Sequence, residues 1–282
     1  MSAQISPDIT QIPPDLERLG LLAFEGRFPL LLAEAAAVHH IPVVAFGVEG
    51  ITPPELEQMV ERLHWMKLGQ ISKFIEKMHE ENIRHVVMAG RVQHNSIWKY
   101  RGFDKRGLKV LGRLINRKAN TVLRAIVDEL ALENIQVLDQ NLFIRSCMPE
   151  KGLLTPWRPL TRREEADIEF GFPIARQVAG IDIGQTLVVK DLAVIAVESL
   201  EGTDETIQRA GRITGGGNVV IKVSKPHQDS RFDIPVVGPG TIRSLQKAGG
   251  GVLAIMSQQA LFFDQQEALE IARQADIAVT VI

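Results

Sequence analysis

Two stretches in the second half of this chain gather residues that could do chemistry on a phosphorylated small molecule. Glu198-Ser-Leu-Glu201-Gly202-Thr203-Asp204 leaves an apolar run and enters a helical one, with three carboxylates and a hydroxyl around one glycine. Lys222-Val-Ser-Lys225-Pro226-His227-Gln228-Asp229-Ser-Arg231-Phe232-Asp233-Ile-Pro235 leaves another apolar run as an irregular loop. Cations bind phosphate oxygens while carboxylates hold a metal, so lysines, an arginine and acids on adjoining loops suit a diphosphate with a divalent cation. The competing reading is a solvated charged loop. Against it stand the flanking Phe232, Ile234, Pro235 and Val236, which should anchor the loop. Pro226 and Pro235 should also stiffen it, as a precise site on a rigid scaffold requires.

The first half offers thinner signals. Gly20-Leu-Leu-Ala-Phe-Glu-Gly26-Arg-Phe-Pro reads as strand, turn and helix, and Gly26 would let backbone N–H groups approach a phosphate at the helix start. A tight turn with no ligand accounts for the same residues. Gly90-Arg91 follows an apolar strand, at the carboxyl end where open α/β sheets bind ligands. Arg91 would there clamp a phosphate with two hydrogen bonds, or else stand in solvent as a loop cation. The histidines show no metal-ligand spacing, and the chain has no HExxH, GxSxG, Walker loop or GxGxxG.

These loops need a framework, and the apolar pattern supplies it. Strands are expected at Arg18–Phe24, Pro42–Gly47, His85–Ala89 and Ile135–Leu138, apolar on both faces. Helices are expected at Pro29–His39, Gly69–Asn82, Gly107–Leu114 and Thr121–Leu132. Such alternation indicates a parallel sheet covered on both sides, a Rossmann-like domain. Residues 147–160 hold prolines and a glycine and read as a linker. Beyond it, Thr161 and Glu164 form a capping box for a helix that Gly180 should stop. A hairpin over Thr186–Lys190 and Ala193–Glu198 follows, then a helix capped by Thr203, and further strands and helices to the end. The fold class is therefore α/β, a Rossmann-like parallel-sheet N-terminal domain at 18–146 and a second α/β C-terminal domain at 161–282, after a flexible tail at 1–17.

Composition narrows the function classes. A formal net charge of -2 and no basic stripe argue against nucleic acid as a partner. The single Cys147 excludes an intramolecular disulfide and fits a reducing compartment. The polar, proline-bearing start is neither signal peptide nor membrane span, and apolar runs are short. A cytoplasmic protein is expected.

Set in order, these blocks resemble the LpxI-type UDP-2,3-diacylglucosamine pyrophosphatases. The similarity is carried by LGLLAFEGRFP at the start, VMAGRV at Val87–Val92 and RGLKVL at Arg106–Leu111. It continues through Gly180-Ile-Asp-Ile-Gly-Gln185, Ala196–Asp204 and Lys225–Gly238. The resemblance implies a Mg²⁺-dependent hydrolase that converts UDP-2,3-diacylglucosamine to UMP and 2,3-diacylglucosamine 1-phosphate (lipid X) in lipid A biosynthesis. It also implies a homodimer in transient contact with the inner-membrane surface. Carried over by residue, the resemblance singles out Asp233 as the catalytic acid; from residue chemistry we add Lys225 as catalytic and place Asp233, Glu201 and Asp204 on the metal. Gly26, Gly90, Arg91, Gln185, Gly202, Thr203, Gln228 and Arg231 are placed on the substrate. Two other classes remain open from the residues: a non-catalytic sugar-nucleotide or lipid-binding protein, and a nicotinamide-dependent oxidoreductase. The missing GxGxxG counts against the second.

Overall fold

The computed structural model describes residues 12–91, 102–114, 119–226 and 228–282. Most of the expected tail and His227 of the late motif lie outside them. The chain divides into two compact units, Met1–Ser146 with Ser230–Asp233, and Cys147–Asp229 with Ile234–Ile282. No described helix is long and apolar enough to cross a membrane.

In the first unit the strands β1 (Leu19–Ala23), β2 (Val43–Val48), β3 (Arg62–Met66), β4 (His85–Ala89) and β5 (Gln136–Val137) lie in the order β3-β2-β1-β4-β5. All the pairings are parallel. β1, β2 and β4 are buried at every position, which is why they read as continuous apolar runs rather than alternating ones. The connections are α1 (Phe28–Val38), α2 (Ile71–Glu80), α3 (Lys105–Gly112) and α4 (Ala119–Ala131), and α5 (Asn141–Ile144) follows β5. Asp104 ties two of these together, because its Oδ1 caps α3 at Gly107 N, 2.7 Å, while its Oδ2 accepts from Ser72 N of α2, also 2.7 Å. β3 holds a polar edge strand that apolar patterning does not flag, and its His64 stacks on Phe46 of β2.

The second unit is built on a mixed sheet of order β6-β13-β11-β9-β7-β8. Its strands are β6 (Gly152–Leu153), β7 (Thr186–Lys190), β8 (Ala193–Val197), β9 (Asn218–Lys222), β11 (Gly251–Ile255) and β13 (Ala278–Val281). A separate parallel pair joins β10 (Val236–Val237) to β12 (Leu261–Phe262). One face of the large sheet packs on α6 (Arg162–Gly180) through Ile168, Ala175, Val219 and Ile221. The other packs on α7 (Thr203–Thr214), α8 (Pro239–Lys247) and α9 (Gln265–Gln274) through Val220, Ile207, Leu245 and Ala268. Alternate residues of β9 thus face two separate apolar clusters.

Local signals in this half are mostly realised. Thr161 and Glu164 make the reciprocal capping box at α6, and β7 and β8 form an antiparallel hairpin. Three expectations need correcting. Gly180 does not break α6 but is its last helical residue, Ile181 is the C-cap, and Asp182 takes the left-handed φ of 60°. Gly202, not Thr203, is the N-cap of α7, and Thr203 is its first helical residue with its hydroxyl engaged elsewhere. The proline-bearing stretch after Cys147 is partly built into the sheet. β6 pairs antiparallel with β13, and the fully buried Thr155 accepts from Val279 N at 3.0 Å.

At the amino ends of the first unit's strands, the buried Glu81 accepts from Arg62 at 2.7 Å and lies 2.8 Å from His64 Nε2. Burial works to raise its pKa, but the hydrogen bonds from His64 and Arg62 outweigh it and the net shift is downward. A depressed carboxylate pKa gives stability that is complete above the ordinary value of 4.5 and lost as pH falls through the lower folded value. Glu81→Gln should therefore lower stability at neutral pH by about 1–2 kcal/mol, since Arg62 is largely exposed. Thermal unfolding between neutral pH and the acid limb should show the two curves converging below the carboxylate range. A constant gap across that window would remove Glu81 from the acid limb.

Candidate functional site

In the first unit the winding direction reverses between β1 and β4, which is where open α/β sheets leave a crevice at their carboxyl ends. The chain segments leaving those two strands meet there. Phe24 N donates to Ala89 O at 2.8 Å, and Glu25 and Arg91 form an antiparallel bridge. Gly90 permits this contact. Its φ is 101°, and a Cβ would stand 2.8 Å from Glu25 O and from Phe24 C. Gly26 follows with φ 96° just before α1, whose first turn includes Pro29 and so lacks one backbone donor. Arg91 is exposed, with Nη2 3.6 Å from a Glu25 carboxylate oxygen. The structure thus brings Gly26, Gly90 and Arg91 to one end of one sheet.

Ser230–Asp233, which its chain position would assign to the second domain, packs with the first unit. Ser230 O accepts from Gln140 N at 3.2 Å, and Ser230 Oγ donates to Asp139 Oδ2. The Gln140 side chain donates to Met88 O of β4 at 2.5 Å, so the same residue secures both the strand end and the loop. Phe232 packs on the apolar cluster of Leu22, Phe24, Val48 and Met88. Arg231 and Asp233 flank Phe232 in a tight turn and are partly exposed. Apolar anchoring by Phe232 is as expected; the surface it anchors to is not.

The second unit holds the other motif residues. Lys222 ends β9, Thr186 begins the antiparallel β7, and Glu198 follows β8, so all three come to one end of the sheet. Lys222 is buried, and its ammonium donates to Thr203 Oγ1 at 2.7 Å. That hydroxyl in turn donates to Glu198 Oε1 at 2.9 Å and lies 3.3 Å from Thr186 Oγ1. Burial drives the Lys222 pKa down, opposed by the charges of Glu198 and Asp204. Gln185 N donates to Glu198 Oε2 at 3.2 Å. Gly202 takes φ 83° and ψ 171° in front of α7, with open space where a Cβ would be. Glu201 sits outside this network. Its own backbone N–H and Arg209, 2.7 Å away, hold its carboxyl below the usual range.

Lys225 is half-buried and pairs with Asp182 at 2.8 Å, while its backbone N donates to Gln228 Oε1 at 2.7 Å. Two buried side-chain atoms here, Gln185 Oε1 and Gln228 Nε2, have no hydrogen-bond partner among the described residues. Such atoms cost about 1–3 kcal/mol unless something binds them. Among the described residues no three His, Cys, Asp or Glu side chains gather as a metal site. Mg²⁺ commonly uses one or two protein carboxylates, with phosphate oxygens and water completing its shell. Asp233 and Asp204 have the donor type for that, whereas Glu201 is committed to Arg209.

The description "LpxI N-terminal domain" matches residues 18–147, and "LpxI C-terminal domain" matches residues 150–280. The chain belongs to the LpxI family. The UDP-2,3-diacylglucosamine pyrophosphatase LpxI of Caulobacter vibrioides is 28% identical over 245 residues, covering 83% of this chain and 86% of that protein. Among solved structures, the biotin carboxylase domain of the Hydrogenobacter thermophilus 2-oxoglutarate carboxylase matches at 10% identity and a TM-score of 0.24. That match covers 71% of this chain and 43% of the other, and at this score it carries no argument.

Within this LpxI chain the residues singled out by motif fall into two groups. Gly26, Gly90, Arg91, Arg231 and Asp233 are in the first unit; Gln185, Glu201, Gly202, Thr203, Asp204, Lys225 and Gln228 are in the second. Sequence reasoning missed Lys222 and Glu198 as a pair joined through Thr203. The available signal was a lysine closing a run of otherwise apolar strand residues, where charge is rare unless paired. Lys222→Met and Glu198→Gln should therefore be coupled in stability. The double variant should be less destabilised than the sum of the singles by about 0.5–3 kcal/mol in urea unfolding. Strict additivity would mean that Thr203 does not link them.

Proposed function

We propose that this chain hydrolyses the diphosphate of UDP-2,3-diacylglucosamine, giving UMP and 2,3-diacylglucosamine 1-phosphate for lipid A biosynthesis. The observation that carries this reading is the match of both halves to the two LpxI domains, together with the named activity of the Caulobacter relative. The site chemistry supports it. Asp233 is held in a turn fixed by Asp139 and Gln140, so its carboxylate is presented on a rigid support. Its role is to orient the attacking water or hold the metal. Arg231 offers a planar fork to phosphate oxygens, and Lys225 offers a compact positive charge. In the second unit the N-terminus of α7 carries the partial positive charge of its unpaired N–H groups, with Thr203 locked in place by Lys222. Gln185 and Gln228 supply an acceptor and a donor suited to the sugar or nucleotide.

Mg²⁺ belongs to the same proposal, with the Asp233 carboxylate as the group that would hold it. When bound, it would neutralise diphosphate charge and favour phosphoryl transfer. So does a homodimer that meets the membrane surface, where a diacylated substrate resides. Sedimentation velocity and co-sedimentation with vesicles measure those two features separately.

Asp233→Ala should cut the release of UMP at least about 10²-fold while thermal unfolding stays close to wild type, because a partly exposed turn residue contributes little packing. Lys225→Ala and Arg231→Ala should each lower kcat/KM by roughly 10²-fold, and Arg231→Lys should recover only part of it. Near-normal turnover in a folded Asp233→Ala protein would defeat the residue assignment. A folded wild type that binds the substrate and never cleaves it would favour the binding-protein reading instead.

A further inference from the structure

One charge in the second unit lacks the partners that its surroundings require. Lys222 closes β9 and is only 7% exposed. An ammonium carries three N–H donors. Among the described residues this one makes a single hydrogen bond, to Thr203 Oγ1 at 2.7 Å, and no ion pair. Glu198 and Asp204 act on it only from farther off, and burial drives its pKa down. A buried ammonium so poorly paired is costly, and an anion brought to it removes that cost. Neighbouring donors are uncommitted as well. α7 starts at Gly202 with no side-chain cap, so its first N–H groups have no partner within the helix. The space that a Cβ of Gly202 would fill is open, Thr203 is half-buried and Asp204 is exposed, so the array reaches the surface. The carboxylates of Asp204 and Glu205 in the same turn stand in water, which screens them, whereas Lys222 is not screened.

We propose that Lys222 is a substrate-binding residue: its ammonium and the first N–H groups of α7 form a subsite for one phosphate group. The proposal rests on the diphosphate reading and names the residue that receives a phosphate in the second unit. A phosphate accepts from an ammonium and from backbone N–H groups together, and it supplies the counter-charge that Lys222 lacks. Thr203 already donates its proton to Glu198, so it orients the ammonium and does not itself donate to the phosphate.

Probes without acyl chains test this on the full chain: inorganic phosphate, UMP and glucosamine 1-phosphate. In amide and lysine-ammonium NMR spectra of wild type, at least one probe should shift the signals of Thr203, Asp204 and Glu205 and that of Lys222. A response to UMP alone assigns the subsite to the nucleotide phosphate, and a response to glucosamine 1-phosphate alone assigns it to the sugar phosphate. Lys222→Met should weaken binding of the responding probe about tenfold or more, because a charge-assisted hydrogen bond is lost. It should lower kcat/KM for the full substrate by a similar factor. A lysine with only a structural role would move the urea midpoint and leave the folded variant's probe affinity at the wild-type value, and that result overturns the proposal. Wild-type spectra in which no probe moves those signals also overturn it, whether or not Lys222→Met folds. Cleavage of the diacylated substrate by such an unresponsive wild type removes the subsite and leaves the hydrolase reading standing. Signals that respond in a wild type that cleaves nothing do the reverse.

Discussion

The position of Asp233 depends on a small set of hydrogen bonds around Gln140. That residue is buried. Its side chain satisfies the carbonyl of Met88 near the end of β4, and its backbone N–H is satisfied by Ser230 O. A buried amide left unpaired would cost about 1–3 kcal/mol, so the turn carrying Arg231 and Asp233 completes the first unit rather than decorating it. Asp139 adds a second tie through Ser230 Oγ, and Phe232 a third by packing on the core.

The second unit solves a different problem. A lysine at the buried end of β9 must find partners or lose its charge. Thr203 is its direct partner, and Glu198 and Asp204 supply opposing charge. That requirement draws the end of β8, the start of β7 and the first turn of α7 into one array. Gly202 can adopt φ 83° there with nothing crowding it, and the N-terminus of α7 is left accessible. The network also explains why Thr203, which has the side chain of a helix cap, does not act as one. Its hydroxyl is already shared between an ammonium and a carboxylate.

Much of the architecture was legible in the chain because it is encoded locally. Continuous apolar runs at β1, β2 and β4 announced a parallel sheet, and the Thr161–Glu164 spacing announced α6. The hairpin of β7 and β8 was readable from its apolar pattern and short turn. Features set by distant partners were not. β6 is a strand only because β13 lies beside it, so two residues in a proline-bearing stretch read as linker. α6 does end on Gly180, but the left-handed turn after it falls on Asp182, because an aspartate can also take that conformation. The candidate residues were picked out by type and motif order, but their division between the two units was not legible. Asp233 and Lys225 are eight positions apart, yet they belong to different units, and nothing in local spacing reports where Ser230–Asp233 packs. Lys222 was hidden for the same reason, since its partner Thr203 comes from another element.

The central claim is that this LpxI-family chain is itself the diphosphatase for UDP-2,3-diacylglucosamine. Phosphorus NMR of the purified wild-type protein with that substrate and Mg²⁺ tests it most directly. The account predicts that the two coupled diphosphate resonances decay together while two phosphomonoester resonances grow in equal amount, one belonging to UMP. Diphosphate resonances that persist unchanged in the presence of folded protein would contradict it.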